Sequence, residues 1–157
     1  MKLLLQVEHF RFEQDFMEDN IRCIPMIVRF KLDACRVKLK LKEWGKMSLD
    51  ERERLAELPI DSSVDLEVYR SYLKSLIFKH TGETATDLPI QNLNNTWSET
   101  ETIPSALSAK LNESSMQISL LQWKRLSVLQ RFALLKLTRH GHENKNLPKA
   151  MREFGLT

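Results

Sequence analysis

The sequence predicts a mainly α-helical protein in which one helical plan occurs twice. Residues 24–58 match residues 103–137 at a constant offset of 79 positions, without a gap. Ten aligned pairs are identical, where unrelated sequences of ordinary composition would share roughly two or three. The composition agrees, because four glycines against 24 lysines and arginines favour helices over tight turns. We therefore predict a single compact domain, residues 1–157, built from two duplicated helical units with a pseudo-twofold relation.

Size, charge and cysteine content restrict the class of protein. A chain of 157 residues is long enough to bury a substantial core. The net charge of +3 is weaker and less clustered than the basic excess of a typical nucleic-acid module. Three consecutive leucines near the start are too few for a signal peptide or a membrane span. Cys23 and Cys35 lack zinc-motif spacing and predict unreactive, mostly buried thiols in a cytoplasmic protein.

The first elements in chain order are an irregular segment and a helix. Apolar residues among acids predict a short extended or irregular segment that packs aromatic rings onto the core; they are Val7, Phe10, Phe12 and Phe16. Pro25 then has the backbone angle that is favoured at the first position of a helix. The apolar residues that follow recur near helical spacing. Pro104 begins the second copy in the same way.

After each of these helices the apolar period changes to strict alternation. Val37, Leu39 and Leu41 alternate with lysines, and Met116, Ile118 and Leu120 alternate with polar residues. Alternation in both copies predicts two extended strips. We expect residues 36–40 and 115–119 to pair as a small two-stranded sheet across the pseudo-twofold axis. The lysines at positions 38, 40, 42 and 46 are interpreted as a solvated face whose stems cover apolar neighbours.

Each copy continues with a tryptophan and a helix start. Ser48 with Glu51, and Ser127 with Gln130, form the Ser-x-x-Glu/Gln pattern of a capping box, which predicts helices that begin at the two serines. The second helix, 127–138, is apolar nearly all round and is expected to be buried, whereas 48–58 is expected at the surface. The structural residues of the repeat are predicted to be Trp44, Trp123, Ser48, Ser127, Arg52 and Arg131.

Between and after the copies lie a helix, a linker and a basic tail. Apolar residues from Val64 to Ile77 predict an amphipathic helix that ends near Gly82. Residues 83–102 are polar, acidic and aperiodic, and are predicted to be a linker. A last short helix is expected to start at Pro148 and stop at Gly155.

The segment 139–146 contains the densest cluster of polar and ionisable residues. Its candidate partner-contact residues are Arg139, His140, His142, Glu143, Asn144, Lys145 and Asn146. Two histidines and a carboxylate could bind a metal ion, but the sequence places no further protein ligand beside them, and the adjacent cations oppose metal binding. A helix-capping loop and a contact surface for another protein are the alternatives. Elsewhere the chain has no nucleophile elbow, phosphate-binding loop or dinucleotide fingerprint, which favours a binding or assembly role without a cofactor.

Several stretches resemble a known family. They are FRFEQDFMED, RCIPMIVRFKLD, KLKLKEW, QRFALLKL and RHGHENKNLPKAMREFGL, and within the last GHENKN is the most specific. Together they are similar to the nitrate reductase-associated protein family found mostly in cyanobacteria. The resemblance spans nearly the whole chain and is weakest in residues 83–102. It implies a helper of a molybdoenzyme, and no catalytic residues accompany it.

The resemblance implies a cytoplasmic, non-enzymatic accessory factor that contacts nitrate reductase or its cofactor-delivery proteins, and no nucleic acid or membrane. Its role would be maturation, molybdenum cofactor insertion or docking of an electron donor. One alternative is a metal-dependent enzyme that acts on a cofactor precursor through His140, His142 and Glu143. Another is a nucleic-acid-binding regulator of nitrate assimilation, which the basic balance and the capped helices suggest.

Overall fold

The computed structural model describes residues 10–13, 24–89, 96–139 and 142–157, with side chains from residue 145 onward in the last range. This part of the chain contains eight α-helices and one two-stranded sheet. The predicted mainly α class, with a small β pairing, is therefore confirmed. The described residues divide into two compact units. Unit 1 comprises residues 13 and 24–89, and unit 2 comprises 10–12, 96–139 and 142–157.

Unit 1 consists of four helices and two short strands. In chain order they are α1 (Met26–Cys35), β1 (Val37–Lys38), α2 (Leu41–Lys46), α3 (Leu49–Glu57), α4 (Ser63–Thr81) and β2 (Thr86–Asp87). Its core is continuous and is formed by apolar side chains from all four helices and β1. Tyr69 of α4 is fully buried in this core, and its hydroxyl donates to the carbonyl oxygen of Leu55 at 2.7 Å. This bond ties α4 to α3.

Unit 2 consists of four helices and a short 3-10 turn at Thr96–Ser98. The helices are α5 (Ser105–Glu113), α6 (Leu120–Arg125), α7 (Val128–Lys136) and α8 (His142–Glu153). Six of the nine residues of α7 are buried, against three of nine in α3. The prediction that the second helix is buried and the first lies at the surface is therefore confirmed in direction, although Leu55 of α3 is fully buried.

The two units follow the same backbone plan. The helices α2 and α6, and likewise α3 and α7, begin and end at positions that differ by 79. The residue after α1 and a residue just after α5, Arg36 and Ser115, have left-handed conformations with φ of 57° and 58° and also differ by 79. Such φ values are uncommon outside glycine, so this coincidence supports a duplication. The duplication, its pseudo-twofold relation and the single-domain organisation stay predictions.

The predicted pairing of the two alternating strips is wrong. Val37 and Lys38 do form a strand, but they pair antiparallel with Asp87 and Thr86, while described residues 116–119 form no strand. A clamp from α4 explains the choice of partner. Arg70 donates to the Cys35 carbonyl at 2.7 Å and to an Asp87 carboxylate oxygen at 2.6 Å.

The alternating strips also end earlier than predicted. Leu41 and Leu120 are the first residues of the six-residue helices α2 and α6, which place Trp44 and Trp123 in the interior. Both ends of the predicted linker 83–102 belong to structured units. Leu88 donates its N–H to the carbonyl of Arg36 at 2.9 Å, and Trp97 packs edge-on against Phe132.

The helix α4 forms where its pattern predicts it, but it is longer, with 19 residues. Ser62 caps its start and Gly82, in the left-handed conformation, ends it. Tyr69, Leu73, Leu76 and Ile77 face the core. Val64 and Val68, assigned to the apolar face by their spacing, are 70% and 53% exposed. Both valines lie on the side of α4 that faces away from Leu73 and Ile77, so the apolar residues of this helix do not all belong to one buried face.

The last helix begins earlier than predicted. α8 starts at His142, and Pro148 lies inside it. Proline lacks an N–H group, so its position breaks one backbone hydrogen bond without ending the helix. Gly155, with φ of 73°, follows the end of the helix at Glu153. A helical start also contradicts a loop through residues 142–146.

The aromatic segment near the amino terminus packs as predicted where it is described. Phe10 and Phe12 are buried and surround Phe154, with ring centroids 5.0 and 6.2 Å away. The Glu153 carboxylate accepts the N–H groups of Arg11 and Phe12 at 2.9 Å each. Val7 and Phe16 lie outside the described residues. Pro25 and Pro104 are N-cap residues, so the helices begin at Met26 and Ser105, one residue later than predicted.

Candidate functional site

The predicted capping boxes are present in both units. The Ser48 hydroxyl accepts the N–H of Glu51 at 3.1 Å, and the Glu51 carboxylate accepts the N–H of Ser48 at 2.8 Å. Ser127 and Gln130 make the same two bonds at 3.1 and 2.9 Å. Two donors at each helix start are thereby satisfied. The sequence analysis missed a third box, in which Ser119 and Gln122 cap α6.

Matching tryptophans and arginines perform related structural tasks. Trp44 and Trp123 are 1% and 0% exposed. Arg52 lies over the Trp44 ring and donates to the carbonyls of Trp44 and Gly45 at 3.1 and 3.0 Å. Arg131 is buried and donates to the carbonyls of Trp97 and Leu126. Both guanidinium groups are thus occupied by backbone carbonyls, and Trp123 donates its indole N–H to Glu99 at 2.7 Å.

Glu51 connects the start of α3 to the end of α4. Its carboxylate lies 3.0 Å from the Lys79 ammonium and 2.8 Å from the His80 imidazole. The backbone bond from Ser48, followed by the bonds from Lys79 and His80, lowers the Glu51 pKa to about 2. The carboxylate is therefore ionised at neutral pH, and it contacts Ser48, Lys79 and His80. In the sequence, this cluster is indicated only by the acid at position 51, because the matched position 130 has an uncharged glutamine.

Lys31 is a buried cation. Its ammonium donates to the carbonyls of Ala56 and Leu58 at 2.7 and 2.6 Å, near the carboxyl end of α3. Burial lowers the Lys31 pKa to about 8, against the opposing influence of Asp61 and Glu57. The corresponding Lys110 instead pairs with Glu113 at 3.2 Å. Lys31 thus donates to the last carbonyls of α3. Although the matched residue Lys110 is also a lysine, this structural role could not be predicted from the sequence, because Lys110 does not share it.

The remaining perturbed groups are also held in the interior. Burial raises the pKa of the Cys35 thiol to about 11, so it remains protonated and unreactive at neutral pH. Burial likewise raises the Tyr69 pKa well above its ordinary value. Cys23 lies outside the described residues. The strongest pKa shifts therefore belong to groups with structural partners.

The predicted contact cluster 139–146 is only partly described. Arg139 and Lys145 are exposed, whereas Asn146 is 7% exposed and faces the interior. Asn146 is therefore not available to a partner. His142, Glu143 and Asn144 begin α8, their side chains lie outside the described residues, and so does the whole of His140.

Two further properties bear on the class of protein. Where side chains are described, no three histidine, cysteine or acidic residues come together as metal ligands. Since His140, His142 and Glu143 fall outside that search, the metal hypothesis is not tested by it. None of the helices in the described ranges has the length and apolarity needed to cross a bilayer.

Comparison with known proteins gives one result. A family model described as conserved nitrate reductase-associated protein matches residues 9–154. No curated protein and no solved structure matches the chain significantly. The family match covers both units and every element described above.

Proposed function

The chain belongs to the conserved nitrate reductase-associated protein family, and on that premise we propose that it is a non-enzymatic accessory factor of assimilatory nitrate reductase. It binds the reductase, or a protein that delivers its molybdenum cofactor, and supports maturation or electron-donor docking in the cytoplasm. The single observation behind this proposal is the family match over residues 9–154.

The environment of the ionisable groups supports a role without catalysis. An acid, base or nucleophile in an active site normally has a perturbed pKa within a cleft. Here Glu51 is engaged by Ser48, Lys79 and His80. Lys31 is bonded to two carbonyls, and Cys35 is protonated in the core. These three groups are used by the fold.

A titration separates an accessory factor from an enzyme. Purified chain is added in increasing amounts to extracts of cells that lack it, and nitrate reductase activity is measured after each addition. A factor that acts by binding restores activity in proportion to its amount, up to about one chain per reductase, as stoichiometric binding requires. Full restoration by far fewer chains than reductase molecules, within the same incubation, would show turnover and would contradict action through a lasting one-to-one complex.

A co-purification experiment tests the partner. Tagged chain is isolated from cells grown on nitrate, with and without molybdenum, and the co-purified proteins are identified. We expect nitrate reductase or a cofactor-delivery protein in the eluate, and a dependence on molybdenum if the chain acts during insertion. Eluates free of both would contradict the proposal.

The segment at the start of α8 stays our prediction for one contact surface, now without Asn146. Combined substitution of His142, Glu143 and Asn144 by alanine should reduce both co-purification and reductase activity. Circular dichroism must show that the variant remains folded. Unchanged activity and co-purification in a folded variant would remove this segment from the interface.

A further inference from the structure

One surface of unit 1 is strongly cationic. Between the end of α1 and the end of α2, five exposed cations occur within eleven residues: Arg36, Lys38, Lys40, Lys42 and Lys46. We call these five residues the cationic strip. The single acid of this stretch, Glu43, is buried and accepts the Lys40 N–H at 2.8 Å. Exposed negative charge is therefore absent from residues 36–46.

The backbone explains why Lys38 and Lys40 share a surface. Val37 and Leu39 are buried, and in an extended chain successive side chains point to opposite sides. Lys38 and Lys40 therefore project together into solvent. Side chains two positions apart in a strand lie about 7 Å apart, which is within the screening length of about 8 Å at physiological salt. The cations consequently repel one another in the free protein.

Several cations elsewhere in the molecule are paired with carboxylates. Arg70 and Lys74 pair with Asp87 at 2.6 and 3.3 Å, and Lys124 pairs with Glu101 at 3.2 Å. Within the described ranges, none of the five cations of the strip has an ion pair. Their charge is thus free to attract an external anionic surface.

Unit 2 shows that the fold does not require these charges. The positions that correspond to the strip are occupied by Ser115, Gln117, Ser119, Leu121 and Arg125. The helices α6 and α7 nevertheless begin and end where α2 and α3 do, 79 residues later. The same backbone therefore forms with one cation at these five positions, and with two, Lys124 and Arg125, in the whole of residues 115–125. The extra positive charge of unit 1 needs an explanation other than folding.

Exposed leucines distinguish a protein partner from a nucleic acid. Leu41 lies within the strip and is 55% exposed, and Leu49, at the start of α3, is 58% exposed. Apolar residues among complementary charges are typical of protein interfaces. A single-stranded nucleic acid would need exposed aromatic rings for base stacking, whereas Trp44, the aromatic residue of this stretch, is 1% exposed.

We propose that the cationic strip, with Leu41 and Leu49, is a docking surface for an acidic face of a partner protein that has an apolar centre. This inference rests on the proposed function, and it places the acidic face on nitrate reductase. Long-range attraction aligns the two surfaces and accelerates their association, while the leucines bury apolar area in the complex.

The test uses the full-length chain and purified nitrate reductase, with binding measured by calorimetry at low and physiological salt. The test variant combines Lys38→Gln, Lys40→Ser and Lys42→Gln, of which the first two introduce the residues of unit 2. The matched control combines Arg125→Gln, Lys149→Gln and Arg152→Gln, which removes the same charge from exposed positions of unit 2. Melting curves establish that both variants fold.

We expect the test variant to bind about tenfold more weakly and with a smaller salt dependence, because each exposed charge pair contributes modestly, and the control to stay within about twofold of the unsubstituted chain. Equal weakening in both variants would show that net charge alone matters and would overturn the docking surface. If both variants bind as tightly as the unsubstituted chain, the docking surface is also overturned, although the proposed function then stands. Failure of the unsubstituted chain to bind would reject the proposed contact with the reductase and this inference with it. Strip-dependent binding to a 30-base-pair DNA duplex, tighter than binding to the reductase, would assign the surface to nucleic acid instead.

Discussion

Units 1 and 2 share a backbone plan but differ in the side chains placed on it. Both contain two short capped helices at matched positions, each pair with a buried tryptophan. In unit 1 the second of these helices has three buried residues, and in unit 2 it has six. The stretch before it carries five cations in unit 1, residues 36–46, and two in unit 2, residues 115–125. The difference indicates that the framework is maintained by a few repeated residues, while the surfaces vary independently.

The largest effect is expected from the tryptophans. Trp44→Ala and Trp123→Ala should each lower the free energy of unfolding by about 3–5 kcal/mol, the usual cost of removing a large aromatic side chain from a core. Trp123→Ala also removes the indole donor of the Glu99 carbonyl. Urea denaturation of both variants measures this. A cost below about 1 kcal/mol at either site would show that the two positions are not equivalent parts of the framework.

Substitution of the matched arginines should lower the free energy of unfolding by a smaller amount, and by different amounts in the two units. Arg131→Ala should lower the free energy of unfolding by about 3 kcal/mol, because it removes a buried charge-assisted donor from two carbonyls. Arg52→Ala should cost about 1 kcal/mol, because Arg52 is partly exposed and water can replace it. The same denaturation measurement compares them. Equal costs would contradict the difference in burial.

Glu51 provides a comparison that depends on pH. Glu51→Gln preserves the cap, as Gln130 does, but loses the ion pairs with Lys79 and His80, and should cost about 1–2 kcal/mol at pH 6. The Glu51 pKa in the folded protein is about 2, below its ordinary value of 4.5. Its contribution is therefore complete above pH 4.5 and is lost as the pH falls towards 2. Denaturation midpoints at pH 6 and pH 3 should show the gap between the two proteins narrowing.

The matched control is Gln130→Glu in unit 2. A carboxylate at the third position of a helix interacts favourably with its amino terminus and retains the capping bond. We expect a change of at most about 0.5 kcal/mol at pH 6. A large gain from Gln130→Glu, or a gap for Glu51→Gln that does not depend on pH, would contradict the role assigned to the Glu51 cluster.

Small and similar effects are expected from the capping serines. Ser48→Ala and Ser127→Ala each remove one side-chain acceptor at the start of a helix, and each should cost about 1 kcal/mol. The two costs should agree closely because the bonds have the same lengths. Urea denaturation again measures both. A difference of more than about 1 kcal/mol would mean that the helix starts are supported differently in the two units.

The sequence predicted the features that have a local chemical signature. The boxes at Ser48 and Ser127, the end of α4 at Gly82 and the burial of α7 each follow from a pattern of a few adjacent residues. The helix α6 has a local signature too, since Ser119 and Gln122 form a capping box. The apolar alternation that precedes it and includes its first residue, Leu120, obscured that signal.

Features that depend on distant residues could not be predicted. The strand at Thr86–Asp87 exists because Arg70, on another element, bonds both the Cys35 carbonyl and the Asp87 carboxylate. Val64 and Val68 are apolar and four residues apart, but they lie on the side of α4 that faces away from Leu73 and Ile77. Asn146 sits among polar neighbours in the sequence and is buried all the same. The lysines of the cationic strip could be recognised in the sequence as a basic run. The proposal that they form a docking surface also depends on the burial of Glu43 and the exposure of Leu41 and Leu49, which only the structure shows.

The central claim is that the repeated framework presents a partner-binding surface in unit 1 and not at the matched positions of unit 2. Hydrogen exchange of the full-length chain, measured alone and bound to purified nitrate reductase, tests this most directly. We expect slower exchange at residues 36–49 in the complex and unchanged exchange at residues 115–128. Protection at 115–128, or a stable complex in which residues 36–49 exchange as fast as in the free chain, would contradict it.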